Sequence, residues 1–176
     1  METRFEHTIF LPNYCDLQLN AKNMVKYDDE IKSMFQRLLR NEETLEAFSA
    51  MLQGHQQNEL NRYYKVIAKS FMPELKHFIQ ENVLRRRIAH TINHPTNFLL
   101  LEMFRLLLLN VFGFSLPPTI VELSNRYEFL PSEGYADHLT WYDSVCLNYT
   151  WTEPVFDKEE SDRYLLSSEL FYKTNV

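Results

Sequence analysis

The sequence of 176 residues contains only three glycines and two cysteines, and both scarcities exclude classes of protein. Phosphate-binding loops, tight hairpins and doubly wound sheets use glycine at their turns, so the low glycine count favours helices. Cys15 and Cys146 each stand without a second thiol nearby, which argues against a zinc ribbon or a CxxC redox pair. The sequence leaves open a disulfide between these two cysteines.

Catalytic motifs are also missing. The sequence has no GxSxG elbow, phosphate loop, dinucleotide fingerprint or kinase signature. His90 and His94 have the spacing of a helical metal pair, but Pro95 disfavours a helix at His94 and no carboxylate completes the set. His138 precedes Cys146 by eight residues, yet a lone cysteine among apolar neighbours is typical of a core. We therefore predict a protein that is not an enzyme and has no cofactor or metal.

Targeting and membrane signals are absent from the sequence. No apolar segment follows the charged residues Met1–Glu6, so no secretory signal is predicted. We expect an intracellular protein of the cytoplasm or nucleus, where cysteines stay reduced. The longest apolar run, Phe98–Phe114, has 17 residues and includes Glu102 and Arg105. A bilayer needs roughly 17–25 apolar residues and penalises each charge, so we expect no membrane span.

The same apolar run has the signals of a helix. Thr96 can cap its start, Pro95 excludes earlier helical turns, and Gly113 suits the left-handed residue that ends a helix. Only a narrow stripe around Glu102 is polar, and a helix that is apolar on all other sides needs packing partners around it. We predict a buried central helix over residues 96–113.

Helical patterns precede and follow this central helix. We expect a helix from Asp28, a second over 41–54 that Asn41 caps and Gly54 ends, a third over 58–71, a fourth from Pro73 to about Ile92, and a sixth after Pro117 that closes at Pro131. Residues 138–152 suit a helix capped by Asp137 or an extended run. Asp157 and Glu160 have the spacing of a capping box.

These elements predict an all-α fold. We expect a compact helical bundle, or an irregular armadillo- or HEAT-like stack, of about seven to eight helices around the central helix. The predicted organisation has three parts: an irregular N-terminal arm over 1–27, a helical core over 28–131, and an aromatic-rich acidic segment over 132–176 that packs on the core.

Charge is distributed unevenly along a chain whose net charge is −6. Residues 62–119 carry 8 basic and 3 acidic side chains, whereas both flanking regions are acidic. A candidate basic face comprises Arg62, Lys65, Lys69, Lys76, Arg85, Arg86 and Arg87. Such a face can contact phosphates, so nucleic-acid binding, of RNA in particular, is the alternative function.

Aromatic residues are dense near the C-terminus. Trp141, Tyr142, Tyr149 and Trp151 form a candidate binding segment, since aromatic residues and arginines anchor many interfaces. A helical core without catalytic motifs favours a protein-protein interaction module or adaptor. We predict that a partner protein binds to a groove between the helices or to this aromatic segment.

Overall fold

A computed structural model describes residues 19–91, 94–126 and 137–173; within them, the side chains of 90, 91, 94, 123–126 and 168–173 are not described. The all-α prediction is confirmed for the described residues, which form eight helices and one very short ladder. The elements are α1 Ala21–Tyr27, α2 Asp29–Leu39, α3 Leu45–Ile67, α4 Leu75–Asn82, β1 Ala89–Thr91, β2 His94–Pro95, α5 Asn97–Phe112, α6 Pro118–Arg126, α7 Trp141–Val145 and α8 Lys158–Lys173.

Local sequence signals set several helix ends. Asp28 accepts hydrogen bonds from the backbone N–H groups of residues 30 and 31 and so caps α2. Thr96 caps α5, and Gly113 ends it with φ of 70°, a conformation that costs glycine little. Asp157 and Glu160 exchange side-chain and backbone hydrogen bonds at the start of α8. These four predictions are confirmed.

The predicted second and third helices are one continuous helix, α3, of 23 residues. Thr44, not Asn41, caps it, and Asn41 instead adopts a left-handed conformation with φ of 58° just after α2. Gly54 lies inside the helix and does not end it. A single glycine within a long helix costs only about 1 kcal/mol, which packing on both sides of it can offset.

The predicted fourth helix is shorter than expected. It ends at Asn82, so Arg85, Arg86 and Arg87 lie in the turns that follow, and residues 89–91 pair with 94–95 as an antiparallel ladder. The extended geometry that Pro95 imposes on His94 suits this ladder.

Two other segments also differ from expectation. The irregular arm predicted over 1–27 ends in helix α1, which Asn20 caps, because residues 21–27 bury one face against the rest of the fold. The helix predicted over 138–152 is limited to Trp141–Val145 and is capped by Thr140, not by Asp137. Residues 1–18 and 127–136, with the expected helix end at Pro131, lie outside the described residues.

Two apolar clusters fill the interior, and α3 contributes to both. The C-terminal half of α3 packs with α4 and α5, where Ile67, Leu75 and Leu99 are fully buried. Its N-terminal half packs with α1, α2, α7 and α8, where Phe35, Phe48 and Tyr142 meet in aromatic contacts of 5.5–5.7 Å. The helix shared by the two clusters is therefore α3.

The prediction that α5 is a fully buried central helix is wrong for its outer face. Leu99, Met103 and Leu106 are buried, but Leu100 and Phe104 are 42% and 47% exposed. A helix that is apolar on nearly all sides is expected to have neighbouring elements around it. Among the described residues, α3 and α4 share a core with only one of its sides.

Candidate interaction surface

The structure leaves six of the seven residues of the predicted basic face exposed and buries Arg87. Arg62, Lys65 and Lys69 are exposed at and just beyond the C-terminal end of α3, where Arg62 forms a 2.8 Å ion pair with Glu59. Lys76 is exposed on α4, with its ammonium 5.4 Å from the centre of the Tyr64 ring. These lysines and Arg62 are accessible to a ligand.

The three consecutive arginines have three different environments. Arg85 is exposed, and the Arg86 guanidinium lies 3.4 Å from the centre of the Phe98 ring. Arg87 is only 8% exposed; its Nε donates to both carboxylate oxygens of Glu153, at 2.9 and 2.8 Å, and its Nη2 donates to one of them at 2.6 Å. Arg87 therefore holds two parts of the chain together and does not belong to a surface basic face.

Two of the four residues in the predicted aromatic segment are interior. The fully buried Tyr142 donates a 2.6 Å hydrogen bond to Asp162. Tyr149 is 6% exposed, donates to the Leu19 carbonyl, and accepts a 2.8 Å hydrogen bond from the Gln56 amide. In this fold neither tyrosine can serve as an accessible anchor for a partner.

The two tryptophans are partly buried and also make internal contacts. The Trp151 indole stacks on Tyr149 at 4.4 Å and donates to the Val83 carbonyl at 3.1 Å. The backbone N–H of Trp141 donates to the Ser161 hydroxyl at 2.8 Å. The aromatic density in this region therefore reflects packing of residues 137–165 against the helices.

Burial changes the acidity of several groups in this region. It raises the pKa of the Cys146 thiol to about 11, which disfavours a thiolate nucleophile. Burial also raises the pKa of Tyr142 and of Tyr149. The Asp143 carboxylate accepts hydrogen bonds from the backbone N–H groups of Ala21 and Thr140, but desolvation is the larger effect and raises its pKa.

A shallow groove between α2 and α3 is one concave feature of the described residues. It has a volume of about 310 Å³ and is lined by acidic and neutral polar groups as well as Ile31 and Met51. His55 in its wall forms a 3.3 Å contact with Asp28. No group of three metal-binding side chains occurs in the part of the chain that the structure describes.

The outer face of α5 is an apolar part of the described surface that the sequence did not predict. Leu100, Phe104, Leu107 and Val111 recur at intervals of four, three and four residues and fall within about 60° of one another around the helix. We call these four residues the α5 apolar face. Leu100 and Phe104 are exposed, whereas Leu107 and Val111 are partly buried.

Other large apolar side chains extend this surface. Phe112 and Phe114 are 47% and 66% exposed at the end of α5, and Ile120 is 43% exposed on α6. Glu102 and Arg105, the two charged residues of α5, bind each other through hydrogen bonds of 2.7 Å. No helix among the described residues is long and apolar enough to cross a membrane.

One signal in the sequence could have revealed the surface. The run from Phe98 to Phe114 is apolar around almost the whole helix, so any side left without a neighbour must be apolar as well.

Comparisons with protein-family models, with curated proteins and with solved structures found no match.

Proposed function

We propose that this protein is a non-enzymatic interaction module, an adaptor that binds another protein through the α5 apolar face. The observation that carries the proposal is the exposure of Leu100 and Phe104 on a helix whose adjacent side is core. Large contiguous patches of exposed apolar side chains are uncommon on monomeric proteins and often mark interaction sites.

The surroundings of this face suit a protein partner. Glu102 and Arg105 pair with each other more than 90° around the helix from this face, so a partner need not bring a compensating charge. Aromatic residues such as Phe104, Phe112 and Phe114 supply large contact areas for few rotatable bonds. A groove or helix of the partner with an apolar surface has the matching chemistry.

The arrangement that we propose for the whole fold is a helical bundle and not an armadillo-like stack. Repeat stacks are built from similar hairpins that contact only their neighbours. Here a single long helix, α3, packs in both apolar clusters, and residues 137–165 return to contact α1 and α2.

We further propose an intracellular location, because the reducing conditions there keep a free, buried thiol such as that of Cys146 reduced.

A pair of matched substitutions tests the proposed function. Phe104→Glu places a charge in the α5 apolar face, whereas Val155→Glu makes a similar change at a 39% exposed position between α7 and α8. We expect tagged wild-type protein and the Val155 variant to retain the same proteins from a native extract, and the Phe104 variant to lose them. Identical retained proteins for all three forms would overturn the proposal.

The nucleic-acid alternative gives a different result in the same experiment. Its candidate residues that remain accessible include Lys65 and Lys69. If a nuclease releases the retained proteins, and Lys65→Glu with Lys69→Glu abolishes retention while Phe104→Glu does not, nucleic-acid binding replaces our proposal. Binding that weakens steeply with salt would accompany that result.

A further inference from the structure

Two consecutive residues of α3 have features that weaken the fold. Gly54 lies in the interior of a 23-residue helix, where glycine is less favourable than alanine. A Cβ at this position would meet no described atom within 4 Å, so packing does not require a glycine there. Nε2 of His55 is buried without a hydrogen-bond partner among the described residues, which also costs free energy. Unfavourable features that packing does not explain are expected at functional sites.

Both residues line the groove between α2 and α3, whose volume of about 310 Å³ is at the lower end of the roughly 300–1,000 Å³ of ligand pockets. Gly54 has no side chain and Ala50, one turn earlier, has only a methyl group, so a ligand can approach the helix backbone closely. Ile31 and Met51 add apolar contacts. The groove therefore has room and apolar surface for a short alkyl chain.

The charges around the groove favour a cation. The described lining includes the carboxylates of Asp28 and Glu30 but no lysine or arginine. The N-terminal end of α2 has a partial positive charge of roughly +0.5, which is smaller than the charge of two carboxylates. Asp28 also accepts hydrogen bonds from the backbone N–H groups of Glu30 and Ile31, so these donors are not available to an anion.

The groove also contains hydrogen-bond acceptors with unused capacity. The Glu30 carboxylate and the Asn58 amide are exposed, and neither side chain forms a hydrogen bond or ion pair with another described residue. Nδ1 of His55 lies 3.3 Å from a carboxylate oxygen of Asp28. In the neutral imidazole the proton lies on Nδ1, beside this carboxylate, and Nε2 is then an acceptor. A cation with several N–H donors matches these groups.

We infer that this groove binds an arginine side chain of a partner protein. A guanidinium has five N–H donors in one plane and pairs with carboxylates through two hydrogen bonds, whereas an ammonium group is more strongly hydrated and has no such plane. Because Nε2 of His55 is covered, its imidazole turns about the side-chain bonds to meet the ligand.

The open shape of the groove favours a side chain over a free small molecule. Ala50, Gly54 and Asn58 are exposed along it, so the groove does not enclose its ligand as pockets for small molecules do. A longer chain outside the groove supplies the missing contacts. The inference does not rest on the proposed function, because no described residue of α5 lines the groove.

The first experiment is an NMR titration of the ¹⁵N-labelled full-length chain with n-butylguanidinium chloride at constant ionic strength. The sequence has three glycines, so the Gly54 amide signal is identified by its loss in Gly54→Ala. We expect the Gly54 and His55 amide signals to shift with a dissociation constant of about 1–10 mM, since this ligand has few atoms. Uncharged n-butylurea, of similar shape, should cause no shift. No shift with n-butylguanidinium, or equal shifts with both compounds, would overturn the inference.

Two pairs of variants test the location. Gly54→Leu fills the groove where the structure has room and should abolish binding while circular dichroism shows unchanged helices. Gln57→Leu changes an exposed α3 residue outside the groove and should bind like the wild type. Glu30→Gln should weaken binding about three- to fivefold, and Asp29→Asn, which removes the same charge one residue away, by about 1.5-fold or less. Equal effects within either pair would overturn the assignment to this groove.

A peptide titration tests the source of the guanidinium group. The peptide acetyl-Gly-Arg-Gly-amide should bind more tightly than n-butylguanidinium, and its citrulline counterpart should not bind. Equal or weaker binding of the arginine peptide would overturn the assignment to a partner protein in favour of a free small molecule. Phe104→Glu should bind n-butylguanidinium like the wild type, so a failure of the proposed α5 function leaves this inference standing, and the reverse also holds.

Discussion

The guanidinium of Arg87 and the carboxylate of Glu153 form a two-pronged ion pair, with N–O distances of 2.9 and 2.6 Å, between segments 66 residues apart in sequence. Arg87 follows α4, and Glu153 lies between α7 and α8. The same contact region includes the hydrogen bond from Trp151 to Val83 and the one from the Thr150 backbone to Leu84. Arg87 was predicted to contact an anionic ligand, but in the fold it binds the Glu153 carboxylate of the same chain.

Replacement of Arg87 should therefore destabilise the fold. Arg87→Ala removes the charge-assisted hydrogen bonds of a buried guanidinium, and we expect a loss of about 2–3 kcal/mol in the free energy of unfolding. The matched control is Arg85→Ala, which removes the same charge from an exposed side chain and should change stability by about 0.5 kcal/mol or less. Urea unfolding measures both; equal effects would show that Arg87 has no special structural role.

The continuity of α3 predicts opposite effects at two glycines. An added Cβ at Gly54 meets no atom within 4 Å, so Gly54→Ala should stabilise the protein by about 0.5–1 kcal/mol. Gly113 has φ of 70°, and alanine there should cost about 1 kcal/mol because of backbone strain. Thermal unfolding compares the two variants. A destabilising Gly54→Ala would support the original expectation that a helix ends at that glycine.

The Tyr149 hydroxyl should contribute to stability through its internal partners. Tyr149→Phe removes the donor to Leu19 and leaves the buried Gln56 amide without this acceptor. We expect a cost of about 1–3 kcal/mol, the usual penalty for an unsatisfied buried polar group. Tyr27→Phe, at a half-exposed tyrosine, is the control and should have little effect. Equal losses in the free energy of unfolding for the two variants, measured by chemical denaturation, would argue against an interior Tyr149.

Alkaline pH should destabilise the fold. Burial raises the pKa of Cys146 from 9.0 to about 11 and raises the pKa values of Tyr142 and Tyr149, so the folded state favours the protonated forms. The stability that these groups contribute is fully present below their unfolded pKa values and is lost as pH rises from about 9.

A substitution isolates the cysteine in this pH dependence. Cys146→Ala removes the group that titrates between pH 9 and 11, so the free energy of unfolding of the variant should fall less steeply over that interval. Urea unfolding at a series of pH values makes the measurement. An unchanged slope would show that Cys146 does not titrate differently in the folded and unfolded states.

The sequence by itself determined where several helices begin or end. Asp28 and Thr96 cap α2 and α5, Gly113 ends α5, and Asp157 with Glu160 begins α8. Each of these features depends on hydrogen bonds or dihedral angles within a few residues, so the local sequence contains the needed information. The all-α class followed from the same signals and from apolar periodicity.

Only the tertiary structure decided which faces of the helices are covered. It placed Arg87 inside and Arg85 outside, put Tyr142 in the core, continued α3 through Gly54, and left Leu100 and Phe104 exposed. Burial depends on neighbours that are distant in sequence. A periodic pattern predicts which residues share one face of a helix, but not which elements pack against that face. For that reason the candidate interaction surface emerged from α5, the helix whose sequence had suggested complete burial.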